Sequence, residues 1–257
     1  MRVLDFDRLI EIADANTTLY KNATPFKYVH IENFFAKERL KFISNAFPRS
    51  DSNIWKETNY KHTMKKSVLK ADNNGIKDLT LEQEGRDLFY ELNSSCFLNF
   101  LERLSGINGL IGDPYLAEAG FHLSRGASSL AVHADFSHHD LLKLERRLNF
   151  IYYLSPSYND PFGGNDYTED ENAVLGLYSS DLSERSIIKV KSNSAVIFET
   201  FEHSYHGFPE PTNFSADRFR RSIAMYYYTV PTERIQHRII FPEDPNFAYE
   251  RGFGSKN

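Results

Sequence analysis

Two kinds of hydrophobic pattern divide the chain, and the first occupies its N-terminal part. From Phe26, the segment FKYVHIENFF alternates and is rich in aromatic and β-branched residues, which predicts a strand. The next segment, AKERLKFISNAF, has apolar residues at helical spacing, namely Leu40, Ile43 and Phe47. Residues 48–80 are polar without a sustained period, so they predict a long irregular segment of the kind that often forms a lid. The stretch LEQEGRDLFYELNSSCFLNFLERLSGI predicts two further helices, with Gly106 as the stop.

The second pattern begins after Pro114, where short β-like runs are separated by Gly, Pro, Asn and Asp. The runs are YLAEAGFHLS, SLAVHADF, RLNFIYYLS, SIIKVK, SAVIFETF and RRSIAMYYYTV. Six such runs within about 115 residues predict an antiparallel sandwich or barrel rather than alternating βαβ units. The change from helices to strands near residue 110 has no linker composition, so we predict one α+β domain.

Composition limits the partners and the location. The 257 residues carry a net charge of −5, so no basic field exists to gather nucleic acid or an anionic membrane. The N-terminal segment is interrupted by charges every few residues, unlike a signal peptide, and the single Cys96 cannot form an internal disulfide. No stretch approaches the roughly 20 apolar residues of a membrane span. We therefore expect a cytoplasmic protein with no nucleic-acid or membrane partner, and the oligomeric state stays open.

Candidate metal chemistry starts in the segment VHADFSHHD, residues 132–140. Alternate side chains of a strand share a face, so His133 and Asp135 would project together and could bind one metal ion. Two imidazoles and one carboxylate form the facial triad of non-haem Fe(II) oxygenases. The HxD pair alone is weak, because such pairs arise by chance and are more often solvated or hydrogen-bonded. A second histidine must come from elsewhere in the chain.

Two later segments supply the missing groups. EHSYHGFPEP offers two candidates for the third ligand, His203 and His206. In RRSIAMYYYT, Arg220 and Ser222 share one face of a predicted strand. A guanidinium fork pairs with both oxygens of a carboxylate, and a hydroxyl donates one more hydrogen bond. Alone, Arg220 is more simply explained as a surface ion pair, but the combination of HxD, a later histidine and RxS is far rarer by chance than any one of them.

Five segments of the chain, in the order in which they occur, resemble the iron(II)- and 2-oxoglutarate-dependent oxygenases, in the branch similar to prolyl 4-hydroxylases. The resemblance is carried by GFHLSRGASSLAVHADF, RRLNFIYYLSP, FGG, VIFETFEHSYHGFPEP and RRSIAMYYYT, and FKYVHIENFF with its helix fits the family's opening. It implies a double-stranded β-helix, or jelly-roll, core buttressed by N-terminal helices. We therefore expect a single oxygenase domain over residues 1–257, with support and lid in about 1–110 and the core in about 111–235.

The resemblance also implies the metal ligands. His133, Asp135 and His206 match the iron ligands of the family. His206 is favoured over His203 because a small residue and then a hydrophobic residue follow it, in Gly207-Phe208.

For the cosubstrate, the resemblance points to the later strands. Arg220, with Ser222 beside it, matches the basic residue that binds the far carboxylate of 2-oxoglutarate, and Arg221 would then face outward. Asn149 and Tyr153 occupy positions whose counterparts touch the cosubstrate.

The implied activity is an Fe(II)- and 2-oxoglutarate-dependent dioxygenase that uses O2 to hydroxylate an unactivated C–H bond and releases succinate and CO2. The substrate would be a small metabolite or a peptidyl residue such as proline. Asp135 favours hydroxylation, because related halogenases carry a small residue in place of this carboxylate. The alternative is a non-catalytic jelly-roll domain that binds a ligand or regulates, which a complete set of ligands with RxS disfavours.

Other polar residues receive simpler interpretations. His138 and His139 are expected to form a solvated pair in a loop. The pairs Lys65-Lys66 and Arg146-Arg147 are expected on solvated faces or in ion pairs. The acidic stretch at residues 166–171 departs from the family pattern, so no strand is predicted beside it.

Overall fold

A computed structural model of the chain describes residues 3–57, 63–67, 81–116, 119–232, 237 and 239–242. The helices are α1 (Phe6–Asn22), α2 (Leu40–Ala46), α3 (Gln83–Leu92) and α4 (Ser95–Ser105). The first strands are β1 (Tyr28–Glu32), β2 (Lys56–Glu57), β3 (Thr63–Ser67), β4 (Gly120–Ser124), β5 (Leu130–His133) and β6 (Glu145–Tyr153). The later strands are β7 (Val174–Tyr178), β8 (Arg185–Lys189), β9 (Ser194–Glu199), β10 (Tyr205–Phe208) and β11 (Arg220–Thr229).

The helices form where side chains cap their ends and apolar residues share one face. Asp5 caps α1 by accepting a hydrogen bond from the backbone N–H of Arg8, and Ser94 caps α4 in the same way from Phe97. Gly106 ends α4 in the left-handed region at φ 76°, as the sequence predicted. No helix in the described part of the chain is long and apolar enough to cross a membrane.

The strands form two antiparallel sheets that pack face to face. The larger sheet has the order β1-β9-β6-β11-β4-β3-β2, and the smaller has the order β5-β10-β7-β8. Between them lies an apolar core that includes Tyr153, Leu175, Leu177, Val196 and Phe198. This arrangement confirms the predicted α+β fold with a jelly-roll core.

The other face of the larger sheet is covered by the helices. Its apolar residues, among them Phe121, Phe150 and Met225, share one core cluster with Leu88 of α3 and Phe97 of α4. The ring centroids of Phe97 and Phe150 lie 5.1 Å apart in an edge-to-face arrangement. Helical support of the sheet, which the sequence predicted, is therefore confirmed.

Arg221 corrects one part of the prediction. It points away from the space between the sheets, but it is fully buried rather than facing outward to solvent. Its Nε donates to the carbonyl of Ser155 at 2.7 Å and its Nη2 to that of Ser157 at 2.9 Å. The guanidinium carbon lies 4.3 Å from the ring centroid of Tyr158. The prediction failed because the segment after β6 folds over this end of the sheet.

Several elements differ from the sequence prediction. All six predicted β runs contain strands, but β7 and β10 were not predicted, and neither was α1. The charges of α1 lie mainly on its exposed side, while Leu9, Ala13 and Tyr20 are buried. Residues 48–80 are not irregular throughout, because β2 and β3 form there and β3 pairs with β4. Residues 58–62 and 68–80 of that predicted lid lie outside the described residues.

Candidate active site

Two paired strands bring the candidate metal ligands together. His133 at the end of β5 lies directly opposite His206 of β10, and their ring centroids are 4.6 Å apart. Asp135 follows two residues after His133, with its Oδ1 3.5 Å from the Nε2 of His133 and its Oδ2 3.4 Å from the Nε2 of His206. One ligand atom from each of the three residues lies within 4.8 Å of the others. The three side chains are therefore placed to hold one metal ion.

The backbone sets which nitrogen of each imidazole faces this site. The Nδ1 of His133 lies 2.8 Å from the carbonyl of Ala131, and the Nδ1 of His206 lies 3.0 Å from the carbonyl of Ser204. A carbonyl only accepts, so each Nδ1 carries the proton and each Nε2 presents a lone pair. Such hydrogen bonds orient metal-binding imidazoles.

Of the two candidates for the third ligand, the structure brings only His206 to this position. His203 is exposed, and its Nε2 lies 3.4 Å from the carboxylate of its neighbour Glu202. His206 is buried, and its ring centroid lies 4.8 Å from that of Phe198 in the core. The turn before β10 therefore separates the two histidines into different environments.

Asp135 is held as a carboxylate by its neighbours. Its Oδ2 accepts hydrogen bonds from Arg146 Nη2 and Asn149 Nδ2, each at 2.8 Å. Burial raises the pKa of Asp135, but its neighbours, above all the guanidinium of Arg146, lower that pKa well below its usual value. The ionised form is the form that binds a metal ion.

A second polar cluster lies between the sheets and contains Arg220, Ser222 and Tyr153. Nη2 of Arg220 donates to the Tyr153 hydroxyl at 3.0 Å, and the guanidinium carbon lies 4.4 Å from the ring centroid of Phe208. Burial raises the pKa of Tyr153, against a smaller lowering by Arg220, so its phenol stays neutral. The structure thus brings Arg220 and Tyr153 together.

This second cluster fits a carboxylate ligand. Arg220 Nε and Ser222 Oγ are buried and have no hydrogen-bond partner within the described part of the chain. Buried donors in native proteins nearly always find a partner, and an arginine beside a hydroxyl suits a carboxylate. Together with the donor set of two imidazoles and a carboxylate, these two groups fit Fe(II) and 2-oxoglutarate.

Asn149 lies at the metal ligands rather than beside Arg220. Its side-chain oxygen accepts from Arg146 and Thr200, and its amide nitrogen donates to Asp135. Arg146 was interpreted as solvated or ion-paired, and the structure shows a fully buried residue paired with Asp135. The RR sequence alone gave no indication of which arginine turns inward.

The histidines after the HxD pair also correct the prediction, because His139 is buried rather than solvated. Its Nε2 lies 3.2 Å from Asp113 Oδ1, and its Nδ1 accepts from the backbone N–H groups of Leu141 and Leu142. His138 lies in a bridge to Glu145 and is partly buried. His139 therefore fixes the loop that follows Asp135, through a partner 26 residues away in sequence.

A C-terminal strap, which we define as residues 237 and 239–242, lies beside the metal ligands. Ala134 and Ile240 exchange two backbone hydrogen bonds, at 2.7 and 3.0 Å. The backbone N–H of Ser137 donates to the carbonyl of His237 at 3.0 Å. The ring centroid of Phe241 lies 6.3 Å from that of His133. The strap therefore forms one wall of the candidate site, which the sequence did not predict.

Gly207 allows β10 to approach β5 closely, and we expect Gly207→Ala to disturb the site. A Cβ at this position would lie 2.8 Å from the Ala131 carbonyl and 2.9 Å from the Leu130 carbonyl. Overpacking of this kind costs about 1–3 kcal/mol. Thermal unfolding and anaerobic Co(II) titration should show a lower midpoint and weaker metal binding.

Gly164→Ala is the matched control for Gly207→Ala, because its Cβ would only reach ordinary contact, 3.4 Å from Asp160 Oδ2. It should leave both measurements unchanged. Equal behaviour of the two variants would contradict the expected role of Gly207.

The fold and the site define a class of protein, a jelly roll whose two imidazoles and one carboxylate suit non-haem iron. The sequence model of the 2OG-Fe(II) oxygenase superfamily matches residues 119–228. The chain therefore carries a domain of the 2OG-Fe(II) oxygenase superfamily and is an oxygenase enzyme, as its sequence predicted. Its cofactors are Fe(II) and 2-oxoglutarate, with O2 as cosubstrate. This membership favours the enzyme over the non-catalytic alternative.

Solved structures with similar folds support this assignment of the fold. A prolyl hydroxylase from Trichoplax adhaerens, in complex with a hypoxia inducible factor peptide fragment, has a TM-score of 0.53 at 15% identity, over 86% of this chain and 91% of that chain. A prolyl 4-hydroxylase from Phytophthora capsici has a TM-score of 0.51 at 16% identity, over 89% of this chain and 67% of that chain. HygX from Streptomyces hygroscopicus, with nickel and 2-oxoglutarate bound, has a TM-score of 0.51 at 12% identity, over 92% of this chain and 98% of that chain. No curated protein matches the chain by sequence.

Proposed function

We propose that this protein hydroxylates an unactivated C–H bond of a small metabolite or a peptidyl residue. One atom of O2 enters the substrate as a hydroxyl group, the other enters succinate, and 2-oxoglutarate loses CO2. The observation that carries this proposal is the convergence of His133, Asp135 and His206, together with two buried donors, Arg220 Nε and Ser222 Oγ, that have no partner among the described residues. Because Asp135 supplies a carboxylate, the proposal is hydroxylation rather than halogenation.

The metal would be held by the Nε2 atoms of His133 and His206 and by a carboxylate oxygen of Asp135. Three protein ligands would leave open coordination positions for the cosubstrate and O2. When bound, Fe(II) and 2-oxoglutarate supply the oxidising chemistry, which no side chain can provide. The contribution of the chain is to orient the imidazoles through the carbonyls of Ala131 and Ser204 and to keep Asp135 ionised.

The far carboxylate of 2-oxoglutarate would pair with Arg220 and accept a hydrogen bond from Ser222. Tyr153 supports this role, since its hydroxyl and ring restrict the guanidinium of Arg220. Leu177 and Phe198 belong to the same apolar core cluster as Tyr153, so the surroundings of this carboxylate site are largely apolar. Asn149 would border the cosubstrate from its position at Asp135.

The substrate class is proposed at the level of small metabolite or peptidyl residue, including proline. Proteins of similar fold include a prolyl hydroxylase in complex with a peptide and an α-ketoglutarate-dependent epimerase from nogalamycin biosynthesis, which supports keeping both classes in the proposal. The cytoplasmic location and the lack of nucleic-acid or membrane partners stay predictions from composition, which is acidic overall with pI ≈ 6.0.

The proposal is tested by adding Fe(II) and 2-oxoglutarate to the protein without oxygen and then admitting air. We expect a weak visible charge-transfer band that requires both additions, followed by release of succinate. Protein with Fe(II) alone should give no band and is the control. Absence of both the band and succinate would contradict the proposed function.

The substrate class is then resolved by measuring succinate release with panels of metabolites and of peptides. A true substrate should raise succinate release and gain one hydroxyl group for each succinate formed. A compound that raises succinate release without itself being hydroxylated is not a substrate.

A further inference from the structure

We propose that Arg146 and Asn149 are positioning residues that hold one oxygen of Asp135, so that the carboxylate binds the metal through its other oxygen alone. This inference rests on the proposed function, since it requires Asp135 to be a metal ligand.

The two oxygens of Asp135 have different surroundings. Oδ2 accepts from the guanidinium of Arg146 and from the amide of Asn149, each at 2.8 Å. Each oxygen also faces one candidate histidine ligand, Oδ2 at 3.4 Å from the Nε2 of His206 and Oδ1 at 3.5 Å from the Nε2 of His133, but Oδ1 accepts neither of these two hydrogen bonds. Two short hydrogen bonds, one of them from a cation, occupy the lone pairs of Oδ2. Oδ1 is therefore the oxygen that stays available to a metal ion.

The orientation of the Asn149 amide follows from its partners. Its Oδ1 accepts from Nε of Arg146 at 2.9 Å, from Nη2 of Arg146 at 2.7 Å and from the hydroxyl of Thr200 at 3.1 Å. Since the two guanidinium donors require an oxygen acceptor, the NH2 group must face Asp135. Arg146 thus holds Asp135 directly and also through Asn149.

A β-bulge in β6 places both residues on the side of Asp135. Leu148 pairs with Tyr227 and Arg146 with Tyr228, so Arg147 is an extra residue in this strand. Residues three apart point to opposite faces of a regular strand. The extra residue removes this difference and lets Arg146 and Asn149 converge.

Aromatic rings restrict the guanidinium of Arg146. Its carbon lies 3.5 Å from the ring centroid of Tyr226 and 4.5 Å from that of Phe136. The residue is fully buried, so it cannot exchange its contacts for water without disrupting the site. A planar cation fixed in this way supplies hydrogen bonds of defined direction.

Single-oxygen binding matters because the metal needs its open positions. A carboxylate free to rotate can bind an ion through both oxygens and occupy a position that 2-oxoglutarate or O2 requires. By holding Oδ2, Arg146 and Asn149 keep Asp135 from binding the ion through both oxygens. They also fix the direction in which Oδ1 is presented, which sets how well the three ligands match one ion.

The test compares Arg146→Met with Arg147→Met by anaerobic titration with Co(II), followed by titration of the Co(II) protein with 2-oxoglutarate. Arg147 is the matched control, because it is the neighbouring arginine and lies near Glu145 and Glu199 rather than Asp135. Arg146→Met should raise the Kd for Co(II) by about 10- to 100-fold, as for other partners of metal ligands. It should also change the visible spectrum of bound Co(II) and weaken 2-oxoglutarate binding. Arg147→Met should match wild type.

Thr200→Val is a milder variant that removes only one donor to Asn149, and Asn149→Ala removes the amide itself. Asn149→Ala should change the Co(II) spectrum in the same direction as Arg146→Met, with a smaller change for Thr200→Val. If Arg146→Met does not fold, as judged by circular dichroism, the other two variants decide the question.

The outcomes separate this inference from the proposed function. Wild-type protein that binds no Co(II) would contradict the metal site itself. Wild-type binding together with a folded Arg146→Met or Asn149→Ala variant of unchanged Kd and spectrum would overturn only the positioning role.

Discussion

His206→Ala should lose metal binding and succinate formation, whereas His203→Ala should retain both. His206 lies opposite His133 on paired strands and supplies one of three ligand atoms, while His203 is exposed on the turn before β10. Partners of metal ligands already contribute about 10- to 100-fold to affinity, so loss of a ligand should weaken binding by more than about 100-fold. Anaerobic Co(II) titration and succinate release measure the two effects.

The two histidines are three residues apart, so the pair His206→Ala and His203→Ala controls for effects on the local backbone. Circular dichroism should show both variants folded. If His206→Ala retained the metal and His203→Ala lost it, the third ligand would be His203, and the assignment of His206 would be wrong. If both variants retained it, neither histidine would be a ligand.

Arg220→Ala should bind the metal normally and lose affinity for 2-oxoglutarate. Nε of Arg220 is buried and unpaired within the described residues, and its guanidinium is restricted by the rings of Tyr153 and Phe208. Removal of one partner of a buried charge pair costs about 2–5 kcal/mol, which is roughly 30-fold or more in Kd. Titration of Co(II)-loaded protein with 2-oxoglutarate measures this loss.

Metal affinity is the internal control for Arg220→Ala, because Arg220 does not contact the three ligands. Ser222→Ala should give a smaller loss of 2-oxoglutarate affinity, since it removes one hydrogen bond to a charged group, worth about 1.5–3 kcal/mol. An Arg220→Ala protein with unchanged affinity for 2-oxoglutarate would refute the cosubstrate pocket, and loss of metal binding would show that the substitution acts on the fold.

Local periodicity was enough to predict most of the fold. The apolar alternation that defines a strand is a property of neighbouring residues, so the runs that became β6, β9 and β11 were recognised. β10 was missed because YHGF is short and lies between polar segments, and its pairing with β5 and β7 is what makes it a strand. β7 was missed because an acidic stretch precedes it.

The sequence pointed to those residues of the candidate site that follow strand alternation or match the family pattern. His133 and Asp135 share a face by strand alternation, and His206 and Arg220 came from the resemblance. Asn149 was expected to touch the cosubstrate, which stays a prediction, and the structure shows that its amide donates to Asp135. Arg146 reaches the same side as Asn149 because of a bulge in β6, and no periodicity of the sequence indicates a bulge.

Long-range contacts set the remaining parts of the site, and sequence patterns do not report them. His139 is paired with Asp113, and the C-terminal strap meets Ser137 about one hundred residues earlier in the chain. The boundary near residue 110 and the lid role of residues 48–80 stay predictions.

The strap also has a consequence for self-association. β5 is the edge strand of the smaller sheet, and an uncovered edge presents free backbone groups to other chains. The strap covers part of this edge, because Ile240 takes up both backbone groups of Ala134 and packs against the cluster around Val132 and Tyr205. The same residues that border the metal site thus help to keep one copy of the protein from pairing, edge to edge, with another.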